Sequence, residues 1–461
     1  MAGVMIAAPG SGSGKTMVTC ALLTLLKRKG WNPAAFKCGP DYIDGLFHRR
    51  VLGVDSGNLD SFFETKTAMT GKVSRVIREH FLVVEGVMGY FDGLGGTSVA
   101  GSSCEIADIL GLPVILVVDA KGASLSLCAL IKGFLEYGAC ANHIQGVFFN
   151  RMSPGMYKVM KELVEEQLRV PVIGYLPELE FLKVGSRHLG LVLPGEIDGL
   201  KEQMEKLADR MDEGLDWEQL CQVAAALGSP GEEKGVKPMG HVQKARPSFR
   251  LGIAMDEAFC FYYRDNLEAL EQAGAKLVCF SPVHDRQLPE GVDGLILGGG
   301  YPENYGEALA SNASMRRSVA AAAAAGMPIL AECGGYLYLL DSLEGADGRD
   351  YPMAGVFCGH GFYAGKTGRF GYITAEAEEE LPFLDKGHRV KGHEFHYWDC
   401  RCGEEKFRMR AVKPRGNRSW PCMRTANRVM AGFPHLYYPS CPELVQRFVA
   451  QCMTYRKEMR E

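Results

Sequence analysis

Near its start the chain reads Ala8-Pro9-Gly10-Ser11-Gly12-Ser13-Gly14-Lys15-Thr16, between an apolar run, Val4–Ala8, and an amphipathic stretch, Met17–Lys29. A glycine-rich turn joining a strand to a helix aims backbone N–H groups and the helix N-terminus at one point, and so cradles an anion. The pattern predicts a P-loop. Gly10, Gly12 and Gly14 would let the backbone wrap the phosphates, Lys15 would reach the β/γ-phosphates of ATP, and Thr16 would offer its hydroxyl to Mg²⁺. One departure exists: Pro9 stands where the first glycine of G-x-x-x-x-G-K-[ST] is usual, with glycine one place later.

Short apolar runs recur after the loop: Ala34–Lys37, Phe81–Glu85, Pro113–Asp119, Gln145–Asn150 and Pro171–Leu176. In Met17–Lys29 the sets Met17/Ala21/Leu25 and Val18/Leu22/Leu26 fall at helical spacing, and Gly30 follows as a stop. Strand and helix in alternation imply an α/β domain, with a mostly parallel sheet covered on both faces. Residues 228–248 carry Gly, Pro and charge without apolar periodicity and read as a linker. The domains expected are therefore 1–227 and 249–461. The second repeats the alternation, with strands at Leu251–Met255, Lys276–Phe280, Gly294–Leu297 and Pro328–Ala331 and an Ala-rich helix over Ser318–Gly326.

Composition excludes several classes. With 461 residues, 47% hydrophobic and 23% charged, each domain can bury a core, and bulk disorder is excluded. The net charge is -4 and no run of five basic residues occurs, so neither a nucleic-acid groove nor an anionic membrane surface is expected as partner. The opening MAGVMIAAPG lacks a basic n-region and a long apolar h-region, so no signal peptide is expected. The 15 cysteines are spread from Cys20 to Cys452, and several lie in apolar runs, Cys128 and Cys279 among them. Reduced, mostly structural thiols and a cytoplasmic location are expected. Cys400-Arg401-Cys402 has neither a second pair nor a histidine at metal-ligand spacing.

Mg²⁺ needs carboxylates as well. Glu85 ends the apolar run FLVVEG, at the ligand side of an open α/β sheet, and Asp60 is the second candidate. Lys37, Asp41 and Asp44, in KCGPDYID, could face the phosphate or an acidic substrate, or form an ordinary turn. A second site is expected at Ile329–Leu337, where apolar strand, small-residue turn and apolar helix place Cys333 in a nucleophile elbow. The helix N-terminus is expected to lower the thiol pKa. Gly334 and Gly299 would supply oxyanion-hole N–H groups. Spacing alone does not choose a base among His360, His388, His393, His396 and His435.

GPDYID at Gly39–Asp44, the P-loop, Arg187–Leu191, GGGYPE at Gly298–Glu303, AECGGY at Ala331–Tyr336 and GHEFHY at Gly392–Tyr397 together resemble the cobyrinate a,c-diamide synthase family. The resemblance implies an N-terminal domain similar to dethiobiotin synthetase that binds ATP and Mg²⁺, and a C-terminal class I glutamine amidotransferase domain. It further implies Cys333 as the nucleophile toward L-glutamine and His435 as its base. Tyr437 stands where most such enzymes carry a glutamate, which leaves the third triad position open. His393 and His396 would make domain contacts or position substrate. The implied reaction is ATP-dependent amidation of two acetate side chains of cobyrinate, in cobalamin biosynthesis. Hydrogenobyrinate and nickel-sirohydrochlorin are the nearest alternative substrates. A P-loop partitioning or scaffold ATPase would carry a lysine where this chain has Ser11 and gives no reason for Cys333. The sequence leaves the oligomeric state open, a homodimer included.

Overall fold

The computed structural model describes residues 2–179, 194–227, 248–402 and 406–459. Arg187–Leu191 and, Ser248 excepted, the linker expected over 228–248 lie outside the described residues. The chain divides into two compact units, Met1–Gly240 and His241–Glu461.

Seven strands build the first unit: β1 (Gly3–Ala7), β2 (Pro33–Cys38), β3 (Asp55–Leu59), β4 (Phe81–Glu85), β5 (Val114–Asp119), β6 (Ile144–Asn150) and β7 (Val172–Leu176). They form one sheet in the order β3-β2-β4-β1-β5-β6-β7, with every pairing parallel. Helices α1 (Lys15–Arg28), α2 (Ile43–Arg50), α3 (Lys66–Val76), α4 (Ser103–Leu110), α5 (Ser126–Glu136), α6 (Pro154–Leu168), α7 (Pro194–Gly214) and α8 (Trp217–Ala225) cover it. Strand side chains alternate between faces. Val4, Ile6 and Ala8 pack with α1, α2, α7 and α8, while Met5 and Ala7 pack with α3 to α6. Burial on both faces is why the central strands read as unbroken apolar runs, each large side chain contributing roughly 1.5–3 kcal/mol. Strand order reverses beside β1, between β4 and β5. That switch point opens a crevice at the carboxyl ends of the strands, where the P-loop leaves β1.

The second unit contains β8 (Phe249–Ala254), β9 (Phe259–Phe261), α9 (Arg264–Gln272), β10 (Ala275–Phe280), β11 (Gly294–Leu297), β12 (Gly299–Gly300), α10 (Gly306–Ser311), α11 (Ala313–Ala324), β13 (Ile329–Glu332) and α12 (Gly334–Tyr338). Its main sheet runs β10-β8-β11-β13, then Val429–Gly432 in parallel, then Arg424–Ala426 antiparallel at the edge. A five-stranded antiparallel sheet ends with Arg389–Phe395 beside His435–Leu436, which sets His393 opposite His435. The helix expected from Ser318 begins at Ala313, because the Asn312 side chain accepts the Met315 N–H and caps it.

One expectation needs correction. Cys104 on α4 and Cys140 are joined as a disulfide, a pair 36 residues apart that the loop after α5 brings together, so not all thiols are reduced. Cys128 is buried as its apolar run suggested, but Cys279 is exposed, because β10 is an edge strand. Among the described residues no helix is long and apolar enough to cross a membrane.

Candidate active sites

At the first site Gly14 starts α1 with φ +97°, and a Cβ there would stand 2.2 Å from Asn150 Nδ2. Only glycine meets both conditions. Asn150, at the end of β6, donates Nδ2 to the Ser13 carbonyl at 3.0 Å and so anchors the loop. No side chain caps the start of α1, which leaves its first-turn N–H groups to an anion. Lys15 Nζ folds onto the Gly10 and Met88 carbonyls, at 3.1 and 2.5 Å. Burial, then the Lys37 charge, pulls this lysine down to about 8.

Behind the loop lies a buried charge cluster. Thr16 Oγ1 donates to Glu85 Oε1 at 2.5 Å, and Lys37 Nζ lies 2.8 Å from the same oxygen and 2.5 Å from Asp44 Oδ2. Strand register makes the pair, since Lys37 on β2 stands opposite Glu85 on β4. Asp44 and His48, one turn apart, share a face of α2, and His48 Nε2 is 3.6 Å from Glu85 Oε2. Burial, then Asp44, pushes Glu85 up to about 7. Burial would also lower Lys37 and raise Asp44, but Lys37 between Glu85 and Asp44 is held well above the usual lysine value, and Asp44 below the usual carboxylate one. Burial pulls His48 down to about 4, so it is neutral at neutral pH.

Asp41 acts on Lys37 and Asp44 through its charge, whereas Asp60 stands two strands away from Glu85. Asp41 Oδ1 accepts the Ile43 N–H at 2.8 Å, and Asp60 Oδ1 accepts those of Phe62 and Phe63 at 2.9 and 3.1 Å. Both hold turns. Asp60 follows β3, two strands from β4 and thus about 10 Å across the sheet. Sequence reasoning missed His48 and Asn150; only the four-residue spacing of Asp44 and His48 on α2 could have signalled the first. Thr16 and Glu85 fit Mg²⁺ as adjacent hard oxygen donors, and Glu85 Oε2 is buried without a hydrogen-bond partner. No group of three or more His, Cys, Asp or Glu able to hold a metal exists among the described residues. Phosphate and water would have to complete the shell.

At the second site Cys333 sits between β13 and α12 with φ +48° and ψ -104°, strained as a nucleophile elbow requires. Its N–H is tied to the Gly432 carbonyl at 2.7 Å. The His435 ring lies against Gly299, where a Cβ would stand 2.2 Å from His435 Cε1. The fold therefore brings Gly299 and His435 together, while Gly334 directly follows Cys333. The expected lowering of the thiol pKa is not met. Burial, then the charges of Glu303 and Glu394, pushes the thiol far up, and the Gly334 N–H only partly opposes them. Burial, then His393 and His396, pulls His435 down to about 3. Thiol and imidazole are both neutral at neutral pH, so attack by Cys333 on a carbonyl must be coupled to transfer of its proton to a base.

The other histidines have clear neighbours. His396 Nε2 faces Glu394 Oε1 at 3.0 Å, Nδ1 faces the Trp398 carbonyl at 2.5 Å, and the ring stacks on Phe433 at 4.0 Å. His393 packs edge-on against Phe370 and Tyr372. Tyr437, at the position where glutamate is usual, donates its hydroxyl to Asp265 at 2.7 Å. His360 and Ser342 pair on a separate small sheet. Sequence reasoning missed Glu332 and Glu394, whose burial beside the elbow no spacing reveals.

Both halves match known families. Residues 4–192 match the CobQ/CobB/MinD/ParA nucleotide binding domain, and residues 250–440 match the CobB/CobQ-like glutamine amidotransferase domain. The chain is 36% identical over 461 residues to a cobyrinate a,c-diamide synthase of Caldanaerobacter subterraneus subsp. tengcongensis, covering 98% of this chain and 99% of the relative. It is 36% identical over 468 residues to the enzyme of that name from Priestia megaterium, covering 99% and 98%. Against that of Listeria innocua it is 39% identical over 397 residues, 86% of each chain. With identity running the length of both units, the chain belongs to the cobyrinate a,c-diamide synthase family.

Proposed function

We propose that the chain amidates the a- and c-acetate carboxylates of cobyrinate, using ATP at the first site and ammonia released from L-glutamine at the second. The observation that carries this reading is the presence in one chain of a phosphate loop backed by Thr16 and Glu85 and a strained cysteine elbow, in a unit where His435 lies against Gly299. A carboxylate resists amines because its charge and poor leaving group oppose attack. Phosphoryl transfer from ATP gives an acyl phosphate, which ammonia displaces. Lys15 and the first turn of α1 would bind the transferring phosphates, and Lys37 would hold Glu85 in place. Mg²⁺, held by Thr16 and Glu85, supplies charge neutralisation when bound. At the elbow the Cys333 sulfur attacks the glutamine amide carbon while His435 takes the thiol proton and passes it to departing ammonia. Gly299 and Gly334 would steady the oxyanion.

The test separates the two sites. Cys333→Ser should lower glutamine-dependent amidation about a thousandfold or more, while ammonium salts at raised pH restore the product. Lys15→Ala should lose both activities, because no acyl phosphate forms. A folded Cys333→Ser protein that ammonia cannot rescue would refute the division of labour. Cobyrinate, hydrogenobyrinate and nickel-sirohydrochlorin assayed side by side identify the ring.

A further inference from the structure

The second unit holds a cysteine pair that glutamine hydrolysis does not use. Cys400 Sγ and Cys402 Sγ lie 2.9 Å apart, at the end of the strand Trp398–Arg401. Alternate residues of an extended chain share a face, so C-x-C brings both sulfurs to one side. The Tyr336 hydroxyl stands 3.3 and 3.4 Å from them. Arg424, fully buried, donates Nη1 to Cys402 Sγ at 3.4 Å and to the Tyr336 oxygen at 3.1 Å. A guanidinium on a sulfur favours the thiolate. Cys402 is accordingly drawn down to about 6, first by its hydrogen bond with Cys400 and further by Tyr336 and Arg424, while Cys400 is pushed up, first by Cys402. Both cysteines are only half-buried, within reach of a small reagent.

The pair is tied to the elbow. Tyr336 belongs to α12, which starts directly after Cys333. Its ring meets Phe433 edge-on at 5.3 Å, and Phe433 precedes His435 by two positions. We propose that Cys400 and Cys402 form a redox-active dithiol, oxidised by a low-molecular-weight disulfide such as oxidised glutathione, and that its oxidation slows glutamine hydrolysis through Tyr336. The Cys402 thiolate attacks one sulfur of the reagent and releases one thiolate. The Cys400 thiol then gives up its proton to that thiolate and attacks Cys402 Sγ, expelling the second thiolate, which takes a proton from solvent. Two protein thiols are oxidised by two electrons, and one reagent disulfide is reduced to two thiols. Arg424 loses its anionic partner and Tyr336 a thiolate acceptor, at the base of the helix that carries the nucleophile.

The effect on turnover rests on the assignment of Cys333 above; the disulfide chemistry does not. Full-length protein is equilibrated across ratios of reduced to oxidised glutathione, alkylated, digested with trypsin and weighed by mass spectrometry. Arg401 lies between the cysteines, so peptides Gly392–Arg401 and Cys402–Lys406 stay joined only through a disulfide. The joined species should appear in one transition, glutamine-dependent turnover should fall about tenfold with it, and ammonia-dependent turnover should hold. Cys400→Ser should keep the activity of the reduced protein and lose the response. No joined peptide in oxidised glutathione alone, a response that persists in Cys400→Ser, or a disulfide without a change in turnover would each overturn the proposal. Failure of the Cys333 assignment would show separately, as absent ammonia rescue.

Discussion

Glu332 and Glu303 act on Cys333 as carboxyl groups with almost no water around them. Glu332 accepts the Leu436 N–H at 3.3 Å, and burial pushes both acids up to about 8. The unfolded chain releases these protons near 4.5, whereas the folded chain keeps them to about 8. Their stability contribution is therefore complete below pH 4.5 and is lost as pH rises through 8, on the order of a few kcal/mol per group. Denaturant unfolding of the full chain at several pH values between these limits should show the decline, and Glu332→Gln should flatten it, since the amide keeps the shape without the proton. Equal slopes in the two proteins would mean that Glu332 is ionised in the fold. Both acids stand in motifs visible in the sequence, AECGGY and GGGYPE. Their protonation was not legible there, because it depends on burial by distant segments. The same holds for Cys333: its place after an apolar strand was readable, but the helix-terminus argument for a lowered thiol pKa is outweighed by desolvation.

At the scale of elements, Gly299 of the short strand β12 lies against the His435 ring. A Cβ on Gly299 would meet His435 Cε1 at 2.2 Å, and the ring would have to shift. Gly299→Ala should therefore cut glutamine-dependent turnover about a hundredfold, since a displacement near 1 Å costs that much, while ammonia-dependent turnover is kept. Steady-state rates with each nitrogen donor check this, and equal losses with both would place Gly299 outside the glutaminase. The elements themselves were unevenly legible. The buried strands of the first unit were readable because both faces are covered, and Phe81–Glu85 was placed to the residue. β3 was not: DSGNL offers no apolar run, and Gly57 leaves room for Phe36 of β2. The antiparallel sheet that sets His393 opposite His435 was also missed, since half-exposed strands carry a weaker pattern than buried ones. The sequence thus showed GHEFHY as a motif without showing which histidines meet.

Taken whole, the chain carries one P-loop and one cysteine elbow, yet the proposed product has two new amides. Phosphoryl transfer is in-line and needs the reacting oxygen within about 3–3.5 Å of phosphorus. A ring held in one pose cannot present two separate acetates to one γ-phosphate, so it must turn or rebind between steps. Release is the simpler route: the first amidation turns a charged carboxylate into a neutral amide, and so weakens the electrostatic hold on that pose. With cobyrinate in large excess over enzyme, a monoamide should accumulate in solution early and then be consumed, with two ATP used per diamide. A mass-spectrometric time course with parallel ADP measurement reads both quantities. Diamide from the first turnovers, with no monoamide in solution, would require that the ring reorient without leaving, and a pulse of labelled monoamide would then fail to compete with the bound intermediate.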